Sequence, residues 1–280
     1  MRQTSAIDDF RYLHESGCFV LPNPWDAGSA VFLEHVGFKA LATTSAGIAF
    51  SKGLPDGPSF VSRNMMLDHF RDIVAATSLP VNADFLNGYA DVPEDVADNV
   101  THCIATGVAG LSIEDSTGVE SQALYDFALA VERVKAARAA IDASGLEVVL
   151  TARCEAWLVG DSDPLQTSLK RLVAFAGAGA DCLYAPGVTK SDEIAAIVQA
   201  VAPKPVNVLV STNNCETTVA QLADLGVRRI SVGGALARVA WGGFIKAAKE
   251  IQAEGAFKAF AEAMPFAELM ELFINNRSRY

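Results

Sequence analysis

Short runs of apolar residues alternate along this chain with longer segments whose apolar positions recur every three or four residues. Runs near 18–22, 39–43, 79–83, 109–113, 147–152, 181–185, 205–209 and 228–232 predict strands buried in a parallel sheet. Between them, segments such as Val92–Thr106, Tyr125–Ala143, Pro164–Ala178, Ser191–Ala202 and Glu216–Leu225 carry the helical period. One phrase recurs in HVGFKALATT (35–44), TGVAGLSIED (106–115), GAGADCLYAP (177–186) and DLGVRRISVG (224–233): a helix ending on Gly, an apolar run, then polar or small residues. A helix capped at C′ and fed into a buried strand produces that order.

Eight β/α units in 280 residues predict an α/β fold of the (β/α)8 TIM-barrel type, whose active sites lie at the C-terminal ends of the strands. A doubly wound sheet would need fewer strands and a Gly-rich phosphate turn, and neither G-x-G-x-x-G nor G-x-x-x-x-G-K-[ST] occurs. After the eighth unit come a helical stretch, Ala235–Ala253, a break at Glu254-Gly255, and a second stretch from Ala256 to about Asn275. The expected division is a barrel over 1–254 and a C-terminal extension over 255–280. Phe257, Phe260, Met264, Phe266, Leu269, Met270, Leu272 and Phe273 make the extension too apolar for a solvated helix, so it packs on its own barrel or against a second subunit.

Composition narrows the partners. A hydrophobic content of 51% spread along the chain favours one large core. A net charge of −11, a pI near 4.8 and no run of Lys or Arg argue against nucleic acid or an anionic membrane and leave a small ligand. No apolar run approaches the ~18 residues that span a bilayer, and MRQTSAIDDFRYLHESG lacks a signal-peptide core, so a cytoplasmic location is expected. Cys18, Cys103, Cys154, Cys182 and Cys215 include no C-x-x-C pair and are expected to be reduced thiols.

Polar residues gather where the strands end: TTSAG (43–47), NADFLNGYAD (82–91), EDSTG (114–118), TARCEAW (151–157) and Asn207. Asp84, Glu114 with Asp115, and Glu155 are expected to converge near the barrel axis with no fixed positive charge to balance them all. Such a cluster wants a cation, and oxygen-only donors favour Mg2+ or Mn2+; a helix cap or an ion pair is the alternative for any one acid taken singly. Arg153 ends an apolar strand and needs an anion, either Glu155 or Asp115 or a substrate carboxylate gripped bidentately. The Thr43–Gly47 turn offers hydroxyl and backbone N–H groups to a carboxylate or phosphoryl group. His14, His35, His69 and His102 fall away from these strand ends, and Cys154 reads as a small buried thiol.

With TTSAG, NADFLNGYAD, IED, TARCEAW and PVNVL spaced along eight units, residues 17–252 resemble the isocitrate lyase and phosphoenolpyruvate mutase superfamily. LPNPWDAGSA, LATTSAGIAFSKGLPDG and GVRRISVGGALAR look most like its phosphonomutase-like branch. The resemblance implies that Asp84 belongs to the D-x-D metal motif, with Asn82 in its first place, and that Glu114 binds the same Mg2+. It implies that Thr44, Ser45, Ala46 and Gly47 hold a substrate carboxylate, that Arg153 clamps the same acid, and that Asp56 is an acid near the site. Trp25 and Asn207 are expected to complete the substrate pocket, and a homotetramer exchanging its C-terminal helices is implied.

Three departures shape the expected reaction. Asn82 is neutral where the motif has Asp. The K-[KR]-C-G-H segment of isocitrate and methylisocitrate lyases, whose Cys protonates the departing carbanion, is replaced by EDSTGVESQALYD. Trp25 stands where lyases often have Tyr. The expected activity is Mg-dependent C–C cleavage or decarboxylation of a small oxaloacetate-like 2-oxo acid. Cleavage of a P–C bond and non-catalytic binding of a 2-oxo acid are the alternatives.

Overall fold

The computed structural model describes residues 2–211 and 217–277. Cys215 and the expected helix start at Glu216 lie outside them. Eight strands, β1 (Phe19–Leu21), β2 (Leu41–Ala42), β3 (Val81–Asp84), β4 (Gly110–Glu114), β5 (Val149–Arg153), β6 (Cys182–Tyr184), β7 (Val206–Leu209) and β8 (Arg229–Ser231), follow the predicted positions. They form one parallel sheet in the order β1-β8-β7-β6-β5-β4-β3-β2. At the β1/β2 seam, the Ala42 N–H donates to the Pro22 carbonyl at 3.0 Å, so the sheet is a nearly closed (β/α)8 barrel.

Helices α2 (Ala27–Val36), α3 (Ser45–Ser51), α4 (Arg63–Ala76), α5 (Pro93–Ile104), α6 (Phe127–Ala143), α7 (Pro164–Gly177), α8 (Ser191–Val201), α9 (Val219–Asp224) and α10 (Ala235–Glu254) follow the strands. Within the repeated phrase Gly37, Gly107, Gly179 and Gly226 all take positive φ, between 87° and 102°, turning the chain from helix into strand where an L side chain would be strained. Leu33, Phe70, Val100, Val134, Leu172 and Ile197, from six helices, are buried against the apolar outward face of the sheet.

Two elements lie outside the eight-fold repeat. An N-terminal helix, α1 (Arg2–Glu15), crosses the bottom of the barrel, where Gln3 Nε2 donates to the Ile104 and Val108 carbonyls at 2.9 and 3.2 Å. Its Phe10 and His14 rings meet at 4.7 Å, His14 meets Phe19 of β1 at 5.1 Å, and together they plug the lower opening. At the other terminus α10 buries only Ala237, and α11 (Phe266–Arg277) lies on α2 through Phe273, 3.6 Å from where a Cβ on Gly28 would stand.

Candidate functional site

Inside the barrel, side chains facing the axis are unusually polar: Asn82, Ser112, Thr151, Asn207 and Arg229 are all buried. Above them a cavity of about 160 Å³ opens at the C-terminal strand ends, lined by Thr43–Ala46, Asp56, Asn82, Asp84, Arg153, Tyr184, Asn207 and Arg229 among others. That volume equals about five water molecules at ~30 Å³ each, the scale of a small organic acid.

Arg153 is the hub. Its Nε donates to Glu155 Oε1 at 2.9 Å, one terminal nitrogen to Asp84 Oδ1 at 2.8 Å, and the other pairs with Glu114 Oε2 at 3.1 Å. Its guanidinium carbon also lies 5.1 Å from the centre of the Tyr184 ring. One guanidinium thus touches three carboxylates and offsets one of their charges, leaving the acids in excess, and its partners include Asp84 and Glu114 as well as the expected Glu155. Three of its five N–H groups are engaged, leaving two that a ligand oxygen could take.

Asp115 departs from the expected cluster. Strand alternation turns Glu114 inward and Asp115 outward. There Asp115 Oδ1 accepts from the Glu155 N–H at 2.8 Å and Oδ2 pairs with Arg171 at 3.1 Å, a buried structural link to α7.

Burial raises the pKa of Glu114, opposed by Arg153 and reinforced by Glu155, Asp84 and Asp115. Glu155 is raised likewise by burial, against the pull of Arg153. For Arg153 burial acts against the charge, yet Glu155, Glu114 and Asp84 hold it protonated well above the ordinary guanidinium range. Asp56, in the loop between α3 and α4, is raised by burial and by Asp84, while a bond from the Ser45 side chain lowers it. Tyr184, pushed up to about 12 by burial, remains a phenol at neutral pH.

The Thr43–Gly47 turn is the N-terminus of α3. Thr44 Oγ1 accepts from the Gly47 N–H at 3.2 Å, and the Ser45 N–H donates to Asp84 Oδ2 at 3.0 Å. Two of the turn's N–H groups therefore organise the site. Gly47 is packed: a Cβ there would fall 2.5 Å from Thr44 Cγ2 and 2.8 Å from Trp25 Cβ. Trp25 is placed beside this turn and lines a neighbouring surface recess with His69 and Lys52, not the cavity. Its loop is directed outward by Asp26, which caps α2 through Ser29 in a capping box.

The structure thus brings Asp56, Asn82, Asp84, Arg153, Asn207 and the Thr44–Ala46 turn together, with Glu114 bonded to Arg153. Sequence reasoning passed over Tyr184 and Arg229, which line the same cavity. Tyr184 ends the strand of the third repeated phrase, so inward parity from that strand end was a usable signal. Asn23 was also missed; its Oδ1 accepts from the Val232 and Gly233 N–H groups at 2.9 and 2.8 Å, tying β1 to the loop after β8.

The donors suit a hard divalent cation. Among the described residues no three acidic, His or Cys groups form a cage. Asp84 lines the cavity and Glu114 stands behind Arg153, both offering oxygen, while the amide oxygen of Asn82 is buried with no hydrogen-bond partner, 2.8 Å from where a Cβ on Gly110 would stand. Oxygen donors of this kind are those Mg2+ prefers, with water completing its shell.

Comparison with known proteins agrees with this architecture. A Burkholderia cenocepacia J2315 structure, provisionally called a lyase/mutase, superposes with a TM-score of 0.94 at 47% identity, covering 98% of each chain. The uncharacterized protein Rv1998c of Mycobacterium tuberculosis H37Rv is 33% identical over 96% of this chain and 98% of its own. Oxaloacetate decarboxylase of Pseudomonas savastanoi pv. phaseolicola is 29% identical over 78% of this chain and 75% of its own. The phosphoenolpyruvate phosphomutase family model matches residues 10–252, and the chain belongs to that family, within the isocitrate lyase and phosphoenolpyruvate mutase superfamily of lyases and mutases.

Proposed function

We propose that this protein is a Mg2+-dependent lyase, with Mn2+ as a substitute, that cleaves or decarboxylates a small oxaloacetate-like 2-oxo acid. The observation that carries the reading is the small cavity in which Arg153, fixed by three carboxylates, keeps two N–H groups for a ligand. Asp84, Glu114 and Asn82 would hold the cation. When bound, it supplies electrophilic stabilisation of negative charge developing on the 2-oxo oxygen.

The chain's own groups do the rest. Arg153 and the Ser45–Ala46 turn orient the acid, the three carboxylates keep the guanidinium from swinging, and the cavity walls limit water. Asp56 lines the cavity, and burial beside Asp84 favours its protonated form. Its carboxyl is the proton store for the carbon left electron-rich when the bond breaks. It substitutes for the lyase cysteine that EDSTGVESQALYD lacks.

Purified protein supplied with MgCl2 is expected to convert oxaloacetate or another 3-substituted pyruvate, with the rate abolished by chelation. Asp56→Asn is expected to lower kcat by about 10²–10⁴-fold, the usual weight of one acid–base group, with pyruvate binding retained. A screen of such acids without metal-dependent product would overturn the reading. A second reading, cleavage of a P–C bond, is favoured by likeness to a Burkholderia phosphonomutase-type structure at 35% identity and a TM-score of 0.81. Phosphorus NMR with phosphonopyruvate separates the two. Pyruvate binding without turnover of any acid would instead mark a binding protein, to which the neutral Asn82 points.

A further inference from the structure

The two arginines of the cavity differ in their counter-ions. Arg153 has three carboxylates against it. Arg229, only 2% exposed, has none within ion-pairing distance among the described residues. Its Nε donates to Asn207 Oδ1 at 2.9 Å and one terminal nitrogen to Thr151 Oγ1 at 2.9 Å, while the other lies 3.3 Å from His14 Nε2. All three partners are neutral. His14 is held uncharged, its pKa lowered to about 3 by burial and then by Arg229 itself.

A buried guanidinium with only neutral partners is expensive, because dipoles replace hydration without neutralising the charge. Tying α1 to the barrel does not require that charge; a neutral donor would serve. Phe10, His14 and Phe19 close the barrel beneath it, so an anion can approach only from the cavity, which Arg229 lines. Three of its five N–H groups are engaged, and two remain. Higher up, by contrast, Asp56 and Asp84 line the cavity beside Arg153, whose charge Glu114 and Glu155 already offset from behind.

We propose that the floor around Arg229, Asn207 and Thr151 is a second anion subsite that receives one carboxylate of a dicarboxylic 2-oxo acid, making Arg229 the residue that selects diacids over monoacids. The inference rests on the 2-oxo-acid reading of the cavity and adds to it a requirement for two carboxylates. The carboxylate supplies the counter-ion that the folded chain lacks, and a charge-assisted contact there is stronger than a neutral one.

The test is calorimetric titration of the protein in MgCl2 with pyruvate and with 3,3-difluorooxaloacetate, a dicarboxylic analogue. Wild type is expected to bind the diacid at least about tenfold more tightly, the weight of one charge-assisted bond. Arg229→Met removes the charge, and Asn207→Asp gives it an internal counter-ion. Both are expected to bring the two affinities within about twofold of each other, since each cancels the same electrostatic term. Thermal unfolding identifies variants that fold. A folded variant of either kind that keeps the wild-type preference overturns the subsite, as does a wild type with no preference. If wild type turns over oxaloacetate while Arg229→Met keeps the preference, the subsite falls and the lyase reading stands. If the preference collapses as expected but no acid is turned over, the subsite stands and the lyase reading falls.

Discussion

The segment that follows β3 is held by partners that have no part in chemistry. Tyr89 shows this most sharply. It and Leu86 take left-handed backbone conformations, at φ 56° and 48°, which bulky residues rarely adopt. The segment is clamped from several sides. The Tyr89 N–H donates to Asn87 Oδ1 at 3.0 Å, Asn99 Nδ2 to the Gly88 carbonyl at 2.8 Å, and the buried Arg133 to the Asn87, Ala90 and Asp91 carbonyls. Backbone strain survives only where surroundings over-determine it. The Tyr89 hydroxyl is buried without a hydrogen-bond partner, and burial, reinforced by Asp84, Asp56 and Glu114, raises its pKa far above that of free tyrosine. Tyr89→Phe keeps the ring against Phe85 and removes only the orphaned hydroxyl. It should leave stability unchanged or raise it by up to about 1 kcal/mol in urea titration. A loss greater than that would show that the hydroxyl is bonded in solution.

Among the elements, α1 couples the floor of the barrel to pH. His14 lies between Phe10, Phe19 and Arg229, with its pKa lowered from 6.5 to about 3. Between those values the unfolded chain takes up a proton that the folded chain refuses. The stabilisation is therefore complete above pH 6.5 and drains away as the pH falls towards 3. His14→Gln keeps a polar group facing Arg229 without a titrating ring. Its unfolding free energy should fall less steeply than wild type between pH 6.5 and about 4; parallel slopes would remove His14 from the acid response. The raised carboxyls of Glu114 and Glu155 act with the opposite sign in both proteins and cancel in the difference. The eight strands were readable because burial on both faces leaves continuous apolar runs, whereas α1 was not. Its buried contribution is mainly Ile7 and Phe10 within a polar stretch, and its role depends on a barrel that exists only after folding. Arg228-Arg229 reads as surface charge until strand parity points Arg229 inward. That Arg153 needs an anion was legible from its strand, but which acids answer depends on the stagger of neighbouring strands.

For the whole molecule, the apolar surface is lopsided. Val239, Trp241, Phe244 and Ile245 of α10 stay exposed, and so do Phe257, Phe260, Phe266, Met270 and Ile274 beyond it, with Phe266 at 80%. A surface this apolar is disfavoured on an isolated chain in water. The expectation that the extension serves a second subunit is kept as a proposal: a homotetramer, built as a dimer of dimers, in which C-terminal helices pass between neighbours. Its support is that α11 meets its own α2 through Phe273 and, apart from the buried Leu272, leaves its other large apolar groups uncovered. Light scattering on the purified protein should give a mass near four times 29.6 kDa. Placing charge on the uncovered face, as in Phe244→Glu with Phe266→Glu, should lower that mass to monomer or dimer while circular dichroism still reports the barrel, because neither side chain enters its core. Wild type running as a monomer at micromolar concentration would end the proposal. A variant that stays tetrameric would move the interface to another face.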